Sequence, residues 1–183
     1  MRLATIAMTL AALLLPAARA AAQVESGLHE LGVTGSFDRG NYEFTARNTR
    51  IDLEGHYGFF VTSRIEIGGA FSFSRGEGDV NNGEWVSALS GVFDWYVGDT
   101  SSRAVPYIEA AYGQLFNDPQ FLEEPTFASV GPGVKWFFGD GGGALNLSGF
   151  YRRVFHDTGG APNFATGRDE IGAKVGVSIF FGR

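Results

Sequence analysis

The sequence predicts an all-β chain, an eight-stranded antiparallel up-and-down transmembrane β-barrel behind a cleavable leader. Three observations carry that expectation. Beyond the leader, apolar residues recur with period two instead of 3.6, in stretches of about ten residues. Every second stretch finishes on a cluster of aromatic rings. The composition removes the main competitors: 183 residues make one domain, with no Cys, 27 Gly, 17 Phe and a formal charge of −6. Without Cys there is no disulfide framework, thiolate zinc site or iron–sulfur cluster. The acidic balance argues against a nucleic-acid partner, and no apolar run after the N-terminus is long enough for a spanning helix.

Residues 1–20 read as a secretory signal peptide. Arg2 supplies a short positive start, Leu3 to Leu15 an apolar stretch, Pro16 a break, and Ala18-Arg19-Ala20 small residues before the cut. A membrane anchor would need about 20 apolar residues, more than this stretch offers. Residues 21–183 then form the barrel domain. Loss of Arg2 and Arg19 takes the formal charge from −6 to −8. A secreted chain without cysteines suits a Gram-negative envelope.

Strands are expected near residues 27–38, 47–60, 64–75, 84–97, 104–115, 126–138, 144–155 and 169–182. The last shows the alternation most clearly: Ile171, Ala173, Val175, Val177, Ile179 and Phe181 occupy one face, and Glu170, Gly172, Lys174, Gly176, Ser178 and Phe180 the other. In the second, Ile51, Leu53, Tyr57 and Phe59 alternate with Arg50, Asp52, Glu54 and His56. The aromatic clusters Phe59-Phe60, Trp95-Tyr96, Trp136-Phe137-Phe138 and Phe180-Phe181 gather at one end of alternate strands, as rings do at a lipid–water interface. Short turns follow the first three clusters, whereas the opposite connections, near 39–46, 76–83, 116–125 and 156–168, are longer and more polar. That asymmetry matches a bacterial outer-membrane barrel with its loops outside.

A soluble eight-stranded barrel of the lipocalin type would put the apolar face inside. The second face, however, carries Arg50, Asp52, Glu54, His56, Arg64, Glu66, Asp94, Glu109, Lys135, Arg152, Glu170 and Lys174. Mixed signs of this kind can pair across a narrow lumen. Glu54, Glu66, Lys135, Arg152 and Lys174 are the candidates for a polar network that plugs the interior, since eight strands leave room for little more than side chains.

The chain resembles the small outer-membrane β-barrel proteins of the OmpA and OmpX type. The resemblance is sharpest in Lys174-Val175-Gly176-Val177-Ser178-Ile179-Phe180-Phe181, which is similar to the C-terminal signal read by the barrel assembly machinery, with Lys174, Gly176, Ile179 and Phe181 at its defining positions. Such signals usually end on the aromatic residue, and this chain continues with Gly182-Arg183. The segments Gly55 to Phe60 and Arg64 to Gly69 are similar to the second hairpin of these barrels. The resemblance implies an integral outer-membrane protein, porin-like in build, with a structural or surface-interaction role. Its partners would be outer-membrane lipids, lipopolysaccharide and the assembly machinery, with any extracellular ligand met through the loops.

An alternative function is a lipid A deacylase-like outer-membrane hydrolase. The run Phe155-His156-Asp157-Thr158-Gly159-Gly160 is similar to the catalytic stretch of those enzymes, with His156 as base, Thr158 as nucleophile and Glu170 orienting the imidazole. Their nucleophile is Ser where this chain has Thr158, and Asn stands where this chain has Gly159. The parity of the seventh strand also turns His156 and Thr158 toward the lumen, away from a lipid substrate, unless a bulge intervenes. The three histidines lie far apart in sequence, so no metal or cofactor is expected.

Overall fold

The computed structural model describes residues 24–42, 46–78, 82–117, 124–138, 142–157 and 162–182. Side chains are described for these apart from 40–42, 46–48, 76–78, 82–84, 156, 157 and 162–167. The expected leader, residues 1–20, lies outside the described residues.

Eight strands follow in chain order: β1 (His29–Tyr42), β2 (Ala46–Thr62), β3 (Ile65–Gly78), β4 (Asn82–Tyr96), β5 (Ala104–Phe116), β6 (Thr126–Phe138), β7 (Gly143–Asp157) and β8 (Pro162–Phe181). Each pairs antiparallel with its neighbour, and β8 pairs with β1, so the sheet closes and no edge is left exposed. Stepping around the ladder from His29 through Phe59, Ile67, Phe93, Ala110, Val130, Tyr151 and Ile171 returns to β1 at Arg39, ten residues from the start. With ordinary strand spacing and rise, that shear tilts the strands by about 40° from the axis.

The faces divide as the alternation requires. Leu31, Val33 and Phe37 on β1, Ile51 and Leu53 on β2, and Ile171, Val175, Val177 and Ile179 on β8 all point outward and remain exposed. Corrected for the tilt, the outward apolar residues fill a belt about 25 Å tall, the height of a hydrocarbon core between barrel girdles. Inward positions on the same strands carry Glu30, Thr34, Asp38, Arg50, Asp52, Glu170 and Ser178, all buried. This is the inverse of a soluble barrel.

Two expectations change. Three of the four long polar connections are largely strand: pairing continues to Tyr42 and Ala46, to Glu77 and Asn82, and to Asp157 and Pro162, whereas between β5 and β6 it stops at Gln114 and Thr126. Polar residues mark where the chain leaves the apolar belt, not where the ladder stops, because backbone pairing persists in water once a hairpin is registered. The asymmetry between the two ends therefore lies in how far the hairpins extend beyond the belt. Arg64 was expected inside. It instead lies exposed in the two-residue turn Ser63-Arg64, because β3 begins only at Ile65. In the longer turn at the same end, the Asp99 carboxylate accepts bonds from the Ser101 hydroxyl at 2.7 Å and the Ser101 N–H at 2.9 Å, which hold it below its ordinary range.

Arginine placed at Val177, half-exposed near the middle of the belt, should cost about 2–4 kcal/mol of folding free energy in a bilayer. Urea titration of refolding into liposomes measures it; a wild-type midpoint for Val177→Arg would contradict the assignment of faces.

Candidate functional site: the charged lumen

The interior is filled in layers. At the short-turn end, Phe60, Tyr96, Tyr107, Phe137 and Phe180 form a floor, with neighbouring ring centroids 5.2 to 6.2 Å apart. Val24, Leu28, Val105 and Ala144 complete that cluster. Four of these five rings come from the aromatic clusters seen in the sequence. Two adjacent residues on a strand cannot face the same side, so Phe59, Trp95, Trp136 and Phe181 stay outward while Phe60, Tyr96, Phe137 and Phe180 turn in. The clusters thus build an internal floor as well as an outer girdle.

The next layer centres on Lys135, fully buried on β6. Its ammonium donates to Glu30 and to the Tyr96 hydroxyl, lies 3.1 Å from Glu66 Oε2, and approaches Asp94 Oδ2 at 3.8 Å. Tyr96 in turn donates to Glu66 at 2.5 Å, while Glu30 Oε1 accepts from Ser178 at 2.6 Å and lies 2.9 Å from His56 Nε2. The floor's rings lie under the ammonium, with centroids 5.1 Å (Tyr96) and 5.4 Å (Tyr107) away, so it is attracted by π-faces below and carboxylates around it. Glu30, His56 and Glu66 are a trio able to hold a metal ion. The Lys135 ammonium already stands between the two carboxylates and supplies the positive charge there.

Further along the lumen, Lys174 bridges Glu109 at 2.9 Å and Glu54 at 3.3 Å. A cavity of about 20 Å³ adjoins this bridge, space for roughly one water. The last layer gathers arginines around Glu170: Arg168 Nε at 2.5 Å, Arg152 at 3.3 Å and Arg50 at 3.4 Å, with Asp52 3.8 Å from Arg152. Against this charged side, Val86, Ala88, Leu115, Phe127 and Val154 make an apolar wall, and the Arg152 guanidinium lies 5.0 Å from the Phe127 ring.

The five residues singled out for a lumen network therefore all face inward but belong to three groups: Lys135 with Glu66, Lys174 with Glu54, and Arg152 with Asp52 and Glu170. Sequence reasoning missed Glu30, Asp38 and Arg168. The first two alternate with Leu31, Val33 and Phe37 and were legible by parity; Arg168 fell in what read as a loop. Of the hydrolase residues, Thr158 and the His156 side chain lie outside the described residues. A register irregularity falls between Phe155 and His156, so alternation cannot be carried across it. Glu170 is engaged by three arginines inside the barrel.

The C-terminal segment forms the seam. Lys174 lies opposite Ser36, Gly176 opposite Thr34, Ile179 opposite Leu31 and Phe181 opposite His29. Gly176 is where β8 and β1 approach: a Cβ there would press into Thr34 and the Val33 carbonyl. Beyond Phe181, Gly182 takes a left-handed φ of 98°, which turns the chain out of the ladder.

Lys135→Met removes the one cation that three buried carboxylates share, and should cost about 3–5 kcal/mol. Urea unfolding in liposomes tests this, with Lys135→Met/Glu30→Gln expected to recover part of the loss. Gly176→Ala should weaken closure of the seam, read as a lower unfolding temperature of the compact electrophoretic form; an unchanged temperature would contradict the close approach.

No protein-family model and no curated protein matches the chain. Solved structures do. The chain is similar to neisserial surface protein A, NspA, at 12% identity and a TM-score of 0.57, covering 84% of this chain and 97% of that one. It is similar to the N-terminal β-barrel domain of Pseudomonas aeruginosa OprF at 20% identity and a TM-score of 0.56, covering 85% and 98%. A barrel from the de novo design of transmembrane β-barrels matches at 10% identity and a TM-score of 0.51, covering 87% and 99%. At such identities the likeness speaks for the fold. Together with the shear, the apolar belt and the closed ladder, it gives this chain the fold of the small eight-stranded outer-membrane β-barrels, the OmpA and OmpX type.

Proposed function

We propose that the chain is a non-catalytic, integral outer-membrane barrel whose lumen is plugged by its own side chains and whose interactions are made at its outer surface. The Lys135 layer on its aromatic floor carries this reading. A buried ammonium held by Glu30, Glu66 and Tyr96 above packed rings supports a plug at that level. The outward belt calls for a hydrocarbon surround, since the 26 large apolar side chains exposed among the described residues would not stay so in a monomeric soluble protein. The hairpins that rise beyond the belt point away from the side where the chain begins, which puts them outside the cell in this reading. Lipopolysaccharide, the barrel assembly machinery at the Lys174 to Phe181 segment, and any ligand of the hairpin tips are its proposed partners. Glu170, occupied by three arginines, is poorly placed to orient a catalytic imidazole.

The test uses the full barrel refolded into liposomes that contain lipid A. The vesicles should show no osmotic swelling in small sugars beyond protein-free vesicles, and the lipid A should keep its mass. Sugar flux at the wild-type level of an open porin would overturn the plug; loss of an acyl chain would make the protein a hydrolase.

A further inference from the structure

The outer wall of the barrel is not uniformly covered. Gly35 on β1 has no side chain where its outward neighbours Val33 and Phe37 do, and a groove of about 500 Å³ starts there. It runs diagonally upward across the strands, past Leu53 and Ile51 on β2 and Phe73 on β3, and ends at Arg75 and Trp85. Its lining is mostly apolar, with Thr49 and Asp52 its uncharged and acidic polar members, and its volume suits a small ligand or a length of alkyl chain.

The upper end is different in kind. Arg75 sits on the outward face between Ile51 and Trp85 in the ladder. Its guanidinium lies 5.8 Å from the Trp85 ring centroid. Among the described residues it has no carboxylate partner, unlike Arg153, which pairs with Asp169 at 2.7 Å. Register and tilt bring Arg39, Arg75 and Arg153 to nearly one height, just above the apolar belt. An outward arginine there lies at the level of lipid headgroups, where its planar fork matches a phosphate. The Trp85 ring lies within cation–π range of the guanidinium, whose remaining donors match a phosphate.

We propose that the groove and Arg75 together seat one phosphorylated lipid of the outer leaflet, an acyl chain lying over Gly35 and the phosphate on Arg75. The proposal rests on the reading of the chain as a membrane barrel with its tall hairpins outside. The chain supplies shape for the acyl part and charge for the head, at the separation that the groove sets. No other feature of the lipid is read.

Gly35 makes the proposal testable, because a Cβ there would meet nothing closer than two carbonyl oxygens at 4.0 Å. A larger side chain can therefore fill the groove without disturbing the ladder. The full chain is refolded into mixed phosphatidylcholine and lipid A vesicles, extracted in mild detergent and weighed by native mass spectrometry. Wild type should keep one lipid A in preference to phosphatidylcholine. Gly35→Leu should lose the retained lipid. Arg75→Gln should lower the preference for lipid A about tenfold, the scale of a charge-assisted contact, while Arg103→Gln at the opposite rim should leave it unchanged. Equal retention of both lipids by wild type, retention by Gly35→Leu, or a mass showing a second copy of the chain in place of lipid would overturn the proposal. Folding is read separately from the electrophoretic shift of unheated samples: a wild-type barrel that never inserts would sink the membrane reading itself, whereas an inserted barrel without lipid sinks only this site.

Discussion

A sheet of eight strands that closes with a shear of ten encloses a space that side chains alone can fill, and that constraint governs the rest of the molecule. The outward face holds the exposed large aliphatic residues, while charged inward residues such as Glu30, Lys135, Arg152 and Glu170 are buried. They must satisfy one another. The interior is consequently sorted by height: rings at the bottom, one shared ammonium above them, a lysine bridge, then arginines around Glu170. The sorting places Lys135, Lys174 and Arg152 each within reach of at least two carboxylates, and Glu170 within reach of three arginines, so that desolvation of one charge is offset by more than one neighbour.

How much of this was legible in the sequence follows from the same constraint. The two faces of each strand meet two different surroundings, so period-two alternation reads out strand identity and orientation almost directly, as in Ile171 to Phe181 against Glu170 to Phe180. Partnership across the lumen is another matter. Lys135 meets Glu30, Glu66 and Asp94 from three other strands. Those meetings depend on the summed registers of the whole ladder, a quantity that no local stretch encodes. Phe60, Tyr96, Phe137 and Phe180 show an intermediate case. Alternation alone required one ring of each pair to turn inward, but only closure of the barrel reveals that the inward rings converge on one floor.

The likeness to a designed barrel, as extensive as that to natural ones, separates fold from role. Belt height, shear and closure are requirements of any small barrel that must sit in a bilayer. What individualises this chain is found where those requirements are slack: the missing side chain at Gly35, the outward arginines above the belt, and the choice of Lys135 over any apolar residue of similar length.

The extension of the hairpins past the belt separates two kinds of change. Strands β7 and β8 stay paired up to Asp157 and Pro162, well beyond Tyr151 and Ile171 at the top of the apolar wall. Such a stretch of ladder acts as a stalk: its backbone pairing transmits the barrel's geometry outward, while its inward side at Val154 and Arg168 is still buried. Substitutions and insertions at the connections between such hairpins' strands can accumulate without touching the lumen charges or the lipid-facing wall. The barrel is thus a fixed mount, and its outermost surface is free to diversify under whatever selection the cell's surroundings impose.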